Sequence, residues 1–196
     1  MIKIIALLAM LVDHACIFFF PEHTLLLRSI GAISFPLFAW CIVQGLKNTS
    51  NLNQYIVRLL LCCMIAQPLY AQLFPDVSRL NDLFTLLSAL AIILLVKQKG
   101  YYMYLLAVCL VVLNIVSIYI LIPIFIYEFE NNLFALTISV LLFLSGICFI
   151  SGQIYPIYAL FFLPLIQFDY PKIPRFKPFF YAAYPGHFLV ILLLMG

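Results

Sequence analysis

Hydrophobic residues fall in long runs that are apolar on every side, at roughly 2–20, 25–46, 55–74, 81–96, 101–121, 133–150, 154–168 and 179–195. Strands of a membrane barrel alternate polar and apolar positions. These runs do not, and most approach the ~20 residues that carry a helix across a bilayer. The separators hold turn residues: Pro21-Glu22-His23, Lys47 to Asn51, Pro75-Asp76, Lys97 to Gly100, Glu128 to Asn132, Ser151-Gly152-Gln153 and the Pro-rich, basic "DYPKIPRFKP" at 169–178. The seventh run is short and carries Pro156 and Pro164, which suits a kinked or re-entrant segment. The pattern predicts an all-α polytopic membrane protein. It is read as a compact bundle of about eight transmembrane helices, seven being possible, forming one domain over 1–196.

Composition agrees. The chain is 67% hydrophobic and 9% charged, with a mean hydropathy of +1.20; soluble domains are about 45–50% apolar and about 25% charged. A net charge of +3 gives no reason to expect nucleic-acid binding. Six cysteines lie inside apolar runs without metal-binding spacing and are read as small packing residues, so no metal is expected. The first run has one charge, Lys3, is interrupted by Asp13-His14 and precedes no small-residue cleavage site; it is read as a retained helix.

Lysine and arginine in short loops set the orientation. Lys3, Lys47 with Arg58, and Lys97 with Lys99 share one side, which places the N-terminus in the cytoplasm. Glu22 with Arg28, Asp76 with Arg79, and Glu128 with Glu130 take the other side. With eight crossings, Lys172, Arg175 and Lys177 fall outside, against the rule.

Polar residues then collect at one depth: His14 on the first helix, Arg28 on the second, Gln67 and Tyr70 on the third, Arg79, Asn81 and Asp82 opening the fourth, and Tyr184 and His187 entering the eighth from outside. Arg28, Arg79 and Asp82 also suit ordinary helix ends, and Gln67 and Asn114 suit bonds between helices. Two histidines at one depth, with an aspartate beside one, point to function. A neutral imidazole accepts a proton near pH 7. Neighbouring helical residues diverge by about 100°, so Asp13 pairs elsewhere, with an arginine or His187. The first and last helices are expected to bring His14 and His187 together. No nucleophile elbow is present, which favours direct transfer over a covalent intermediate.

The chain resembles the TraX family, the F-pilin acetylases of conjugation systems, which look like compact relatives of the transmembrane acyltransferases. Five blocks carry the likeness in order: "MLVDHACIFF" at 10–19, "LRSIGAISFPLFAWCIVQGLKNTSN" at 27–51, "YIVRLLLCCMIAQPLY" at 55–70, "LNDLFTLL" at 80–87 and "FFYAAYPGHFLVILL" at 179–193. The motif positions are Asp13, His14, Arg28, Gly31, Phe35, Pro36, Arg58, Gln67, Pro68, Asn81, Thr85, Tyr184, Pro185 and His187. Ala32 stands where the family usually has Arg, and Phe188 where it usually has Leu.

The resemblance implies an enzyme of the bacterial inner membrane that moves an acetyl group from acetyl-CoA to an amine or hydroxyl. Arg58, Lys47, Lys97 and Lys99 would meet the CoA phosphates from the cytoplasm. His14 would be the general base, with His187 or Asn81 orienting it or stabilising the oxyanion. Arg28, Gln67, Tyr70 and Tyr184 would support the substrate or the site. Gly31 and Pro36 would supply a close helix contact and a kink, and Pro185-Gly186 would loosen the first turns of the last helix. A pilin amine, a peptide or a glycan hydroxyl would be the acceptor. The rival readings are a small proton-coupled transporter, which the absence of inverted repeats disfavours, and a membrane assembly factor without chemistry.

Overall fold

A computed structural model describes residues 1–20, 24–75, 77–168 and 177–196; the side chains of Thr24, Lys177 and Pro178 are outside the description. Pro21, Glu22, His23, Asp76 and the basic stretch 169–176 with Lys172 and Arg175 therefore lie outside the described residues. Every regular element among the described residues is a helix. In chain order these are α1 (Ile2–Phe19), α2 (Thr24–Gly31), α3 (Ser34–Asn48), α4 (Leu52–Leu73), α5 (Asp82–Lys99), α6 (Leu105–Val112), α7 (Leu121–Phe129), α8 (Leu133–Ser151), α9 (Phe162–Gln167) and α10 (Lys177–Met195). Short 3-10 helices at Tyr101–Tyr104, Ile118–Ile120 and Tyr155–Phe161 join them. Among the described residues, four stretches are long and apolar enough to cross a membrane: Ile2–Phe19, Leu25–Asn48, Leu52–Leu73 and Leu133–Ser151. This is a membrane protein built of helices.

Local chemistry sets the helix ends. Asn51, Asn81 and Asn132 cap α4, α5 and α8, each accepting from a backbone N–H two or three residues on, at 3.0 Å. Gly100 ends α5 at φ 106° and Gly152 ends α8 at φ 66°, a region open to glycine without strain. Lys97 and Lys99 fill the last turn of α5, where the helix dipole favours cations. Pro36 falls in the first turn of α3, where its missing N–H costs no helical bond; it marks the restart after the turn at 32–33 rather than a kink.

The chain divides into two compact units. One comprises the described residues of Met1–Cys41 and Glu128–Arg175, the other Ile42–Tyr127 and Phe176–Gly196. In the first, α1 packs on α2, and the 3-10 helix Tyr155–Phe161 packs on both α2 and α8. In the second, α4 packs on α5 and α10. Gly45 lets α3 approach α4: a side chain there would run into Tyr55, whose hydroxyl donates to Ile42 O at 3.2 Å.

Two features of the second unit correct the sequence reading. The run 101–121 is not one crossing. It rises as Tyr101–Tyr104 and α6, about 20 Å by helical rise, and reverses at Asn114, a left-handed residue at φ 55°. The tip is tied to the start of α5: Asn114 Nδ2 donates to Ser78 Oγ at 2.7 Å, Leu80 N to Ile115 O at 3.0 Å, and Ser117 N to Thr85 Oγ1 at 3.1 Å. Asn114 thus bridges to a loop and not to a helix. The chain then descends through Ile118–Ile120 and α7 until Tyr127 meets Lys47 and Lys97. Glu128, the next residue, belongs to the lysine end and not opposite it. Asn114 and Ser117 are the turn formers that split an otherwise apolar run.

The second correction concerns α10. Cys62 Sγ donates to Tyr181 O at 3.2 Å, and the rings of Tyr70 and Phe188 lie 5.9 Å apart. Rising numbers on α4 match rising numbers on α10, so the two helices are parallel. α10 starts at the Arg58 end, not from the opposite side. Pro185 accordingly sits within α10 rather than in its first turns. Its missing N–H leaves Tyr181 O without the usual helical donor, and Cys62 supplies one.

This topology predicts that Thr49 and Met195 lie on opposite sides of the membrane. In a cysteine-free background, Thr49→Cys and Met195→Cys should react with an impermeant maleimide from opposite faces of oriented vesicles. Labelling from the same face would overturn the parallel pairing of α4 and α10.

Candidate functional site

In the first unit the polar residues of α1 and α2 meet. Arg28 Nε lies 3.5 Å from Asp13 Oδ1, and Arg28 Nη2 donates to Tyr155 Oη at 3.1 Å. The guanidinium also stands 4.8 Å from the centre of the Tyr155 ring. Asp13 therefore pairs with an arginine, one of the two partners its setting suggested. The pair sits between stretches apolar enough to cross a membrane, where an unpaired Asp costs about 2.5–3.5 kcal/mol on insertion scales. Gly31 makes the approach possible, since a Cβ there would overlap the Asp13 side chain. His14 follows Asp13 on the same helix and is partly exposed.

In the second unit, α4, α5 and α10 bring Gln67, Tyr70, Asn81, Tyr184 and His187 together. Asn81 is fully buried. Its Oδ1 accepts from Leu83 N at 3.0 Å, and its Nδ2 donates to Cys63 O at 3.1 Å and Gln67 Oε1 at 2.9 Å. Gln67 Oε1 also accepts from Asn81 N at 2.9 Å. Both amide hydrogens of Asn81 are consumed by the fold, which leaves no donor for an oxyanion. Asn81 holds α5 to α4, and Gln67 is the bond between helices that its position also suited.

Tyr70 packs 4.9 Å from Phe74 and lies within reach of Arg79 and near Asp82. The Tyr184 hydroxyl stands by Asp82 and the Leu83 backbone. His187 is buried, its ring 5.4 Å from that of Tyr184. Arg79 and Asp82, which also suited plain helix ends, thus join a group of two tyrosines. His14 belongs to one unit and His187 to the other.

At the far end of the second unit, Lys47 Nζ lies 4.9 Å and Lys97 Nζ 5.1 Å from the centre of one ring, Tyr127. Three elements deliver them: the end of α3, the end of α5 and the end of α7. Arg58 donates to Gln54 Oε1 at 3.0 Å, one turn earlier on α4. Lys99 is exposed on the last turn of α5. No local pattern marks Tyr127 or Tyr155, because each meets its partner across a long stretch of chain.

The family model described as TraX protein matches residues 1–195, nearly the entire chain. The chain belongs to the TraX family. This TraX-family chain is also 34% identical over 73 residues to the probable fimbrial assembly protein FimC, serogroup H1, of Dichelobacter nodosus. That match covers 36% of the chain and 30% of the relative. No solved structure matches the TraX-family chain.

The Asn81 network predicts a stability effect. Asn81→Ala should lower stability by about 1–3 kcal/mol, the range for orphaning buried hydrogen-bond partners. Asn81→Asp, which keeps the cap but sets a second acceptor against Cys63 O and Gln67 Oε1, should lower it at least as much. Thermal unfolding in detergent checks both; unchanged melting of Asn81→Ala would show that the network carries no weight.

Proposed function

We propose that this TraX-family chain is a membrane acyltransferase that passes an acetyl group from acetyl-CoA to an amine, with a pilin or peptide N-terminus as the first candidate acceptor. The observation that carries the reading is His14, set beside an anchored ion pair inside a helix apolar and long enough to cross a bilayer. Family membership supports it, and the fimbrial name of the partial relative supports the choice of a pilin acceptor. The inner membrane of a bacterium is the proposed location.

The lysine end suits the donor. Two ammonium groups gathered at one aromatic ring offer positive charge to phosphates. Lys47 and Lys97 would hold the nucleotide part, with Arg58 and Lys99 adding charge. In the transfer, the acceptor nitrogen attacks the thioester carbonyl. His14 accepts the N–H proton, the C–S bond breaks, and the CoA sulfur leaves and takes up a proton as the thiol. His187 is the second candidate for proton handling.

His14→Ala should lower transfer by about 10²–10⁴-fold, the usual worth of a general base, while leaving insertion and CoA binding intact. Lys47→Glu with Lys97→Glu should raise KM for acetyl-CoA and spare kcat. Purified protein in detergent, assayed for CoA release with an acceptor peptide, reads both. Normal transfer by His14→Ala would remove it as the base. No transfer and no CoA binding by the wild type would favour an assembly role, the second reading that the fimbrial relative supports.

A further inference from the structure

The ion pair at Asp13 has a third member that the function above does not use. Tyr155 lies 127 positions from Arg28 and reaches it from a separate 3-10 helix. It makes two different contacts with the same guanidinium. The hydroxyl accepts from Nη2 at 3.1 Å, and the ring stands 4.8 Å from Cζ. Arg28 Nε faces Asp13 Oδ1 at the same time. A planar guanidinium presents donors in a fixed fork, so binding one edge to Tyr155 decides where the other edge points.

The Tyr155 position is itself built. Gly152, in the left-handed region at φ 66°, ends α8 and turns the chain. Pro156 at the start of the 3-10 helix fixes the backbone next to Tyr155. On the other side, Gly31 brings α2 against Asp13. Three elements thus converge on one charged pair, and one of the three contributes only an uncharged phenol. A phenol adds little to neutralising Asp13, but it does fix the geometry of the group that neutralises it.

We propose that Tyr155 is a positioning residue, which through Arg28 fixes Asp13 and the stretch of α1 that carries His14. This inference rests on the acyltransferase reading for its kinetic consequence, but its structural half stands apart. A hydrogen bond to a charged group is among the stronger kinds. Losing it lets the guanidinium rotate away from the carboxylate without removing any charge.

Two measurements test this. The first is kinetic. Tyr155→Phe keeps the ring and loses the hydroxyl; it should lower kcat about tenfold with KM for acetyl-CoA and acceptor unchanged. In an Arg28→Ala background the same change should have no further effect, because Tyr155 acts through Arg28. Tyr158→Phe, on the same 3-10 helix, should behave as wild type. The second needs no activity: labelling of Asp13 by the apolar reagent dicyclohexylcarbodiimide, read by peptide mass. Tyr155→Phe should label faster than wild type, Arg28→Ala faster still, and the double variant no faster than Arg28→Ala. Should Tyr155→Phe fail to fold, Arg28→Lys replaces it, since one ammonium cannot bridge both partners; the same loss of kcat and gain of labelling are expected. An inactive wild type would end the acyltransferase reading, and the labelling would still decide the role of Tyr155. Wild-type labelling of Asp13 in Tyr155→Phe, or an active wild type matched by Tyr155→Phe in kcat, would overturn the positioning role. So would an effect of Tyr155→Phe that persists undiminished without Arg28.

Discussion

A polar group inside an apolar helix must find its partner within the protein, because lipid supplies none. Most of what is distinctive in this chain follows from that. Asp13 enters with Arg28, and the guanidinium is closed off on its far edge by Tyr155. Asn81 begins a helix at depth and satisfies the cap, a carbonyl of α4 and the Gln67 amide oxygen at once. Thr85, fully buried, accepts from the backbone of Ser117 at the turn of the hairpin. Each partner comes from another element, so the satisfied bonds also fix which elements lie together.

Backbone irregularity is tied into the same network. Pro185 strips the Tyr181 carbonyl of its helical donor, and Cys62 replaces it across the α4–α10 contact. A thiol is a weak donor, yet an orphaned carbonyl at depth makes even a weak bond worthwhile. Gly31 and Gly45 act by what they lack. Each sits where a methyl group would overlap a polar side chain of the next helix, Asp13 and Tyr55 respectively. Small residues at helix contacts are a general device in membrane proteins; here they admit a carboxylate and a phenol rather than another backbone.

The sequence made the helices legible because unbroken apolarity over 15–20 residues has one solution in lipid. The helices at 2–19, 52–73, 82–99, 133–151 and 177–195 follow the apolar runs closely. It did not reveal the hairpin, because a run such as 101–121 is as apolar whether it crosses once or turns back. Only Asn114 and Ser117 mark the reversal, and within an apolar run two such residues read equally well as bonds between helices. That one misplaced turn inverted everything counted after it: the side of Glu128 and the direction of α10. Asp13, Arg28, Gln67, Asn81 and Tyr184 were legible as candidates because polar residues at depth are rare. Their division of labour was not, since a sequence shows that an asparagine is buried but not that its donors are already spent. Tyr127 and Tyr155 were invisible for a simpler reason: aromatic residues are common here, and nothing local distinguishes these two as partners of cations.

The division of labour bears on which group does chemistry. The Asp13 carboxylate is engaged by Arg28. An amide whose hydrogens are bonded cannot stabilise a new charge. Asp13 and Asn81 are thus both engaged by partners on other elements. His14 follows Asp13 on the same helix and is partly exposed. It stands one residue from a charge that Arg28 and Tyr155 keep in place. Fixed charge next to a titratable ring is how a protein prearranges an electrostatic setting instead of reorganising it during reaction. The cost of carrying an ion pair into lipid thus falls on the turn of α1 that also carries His14.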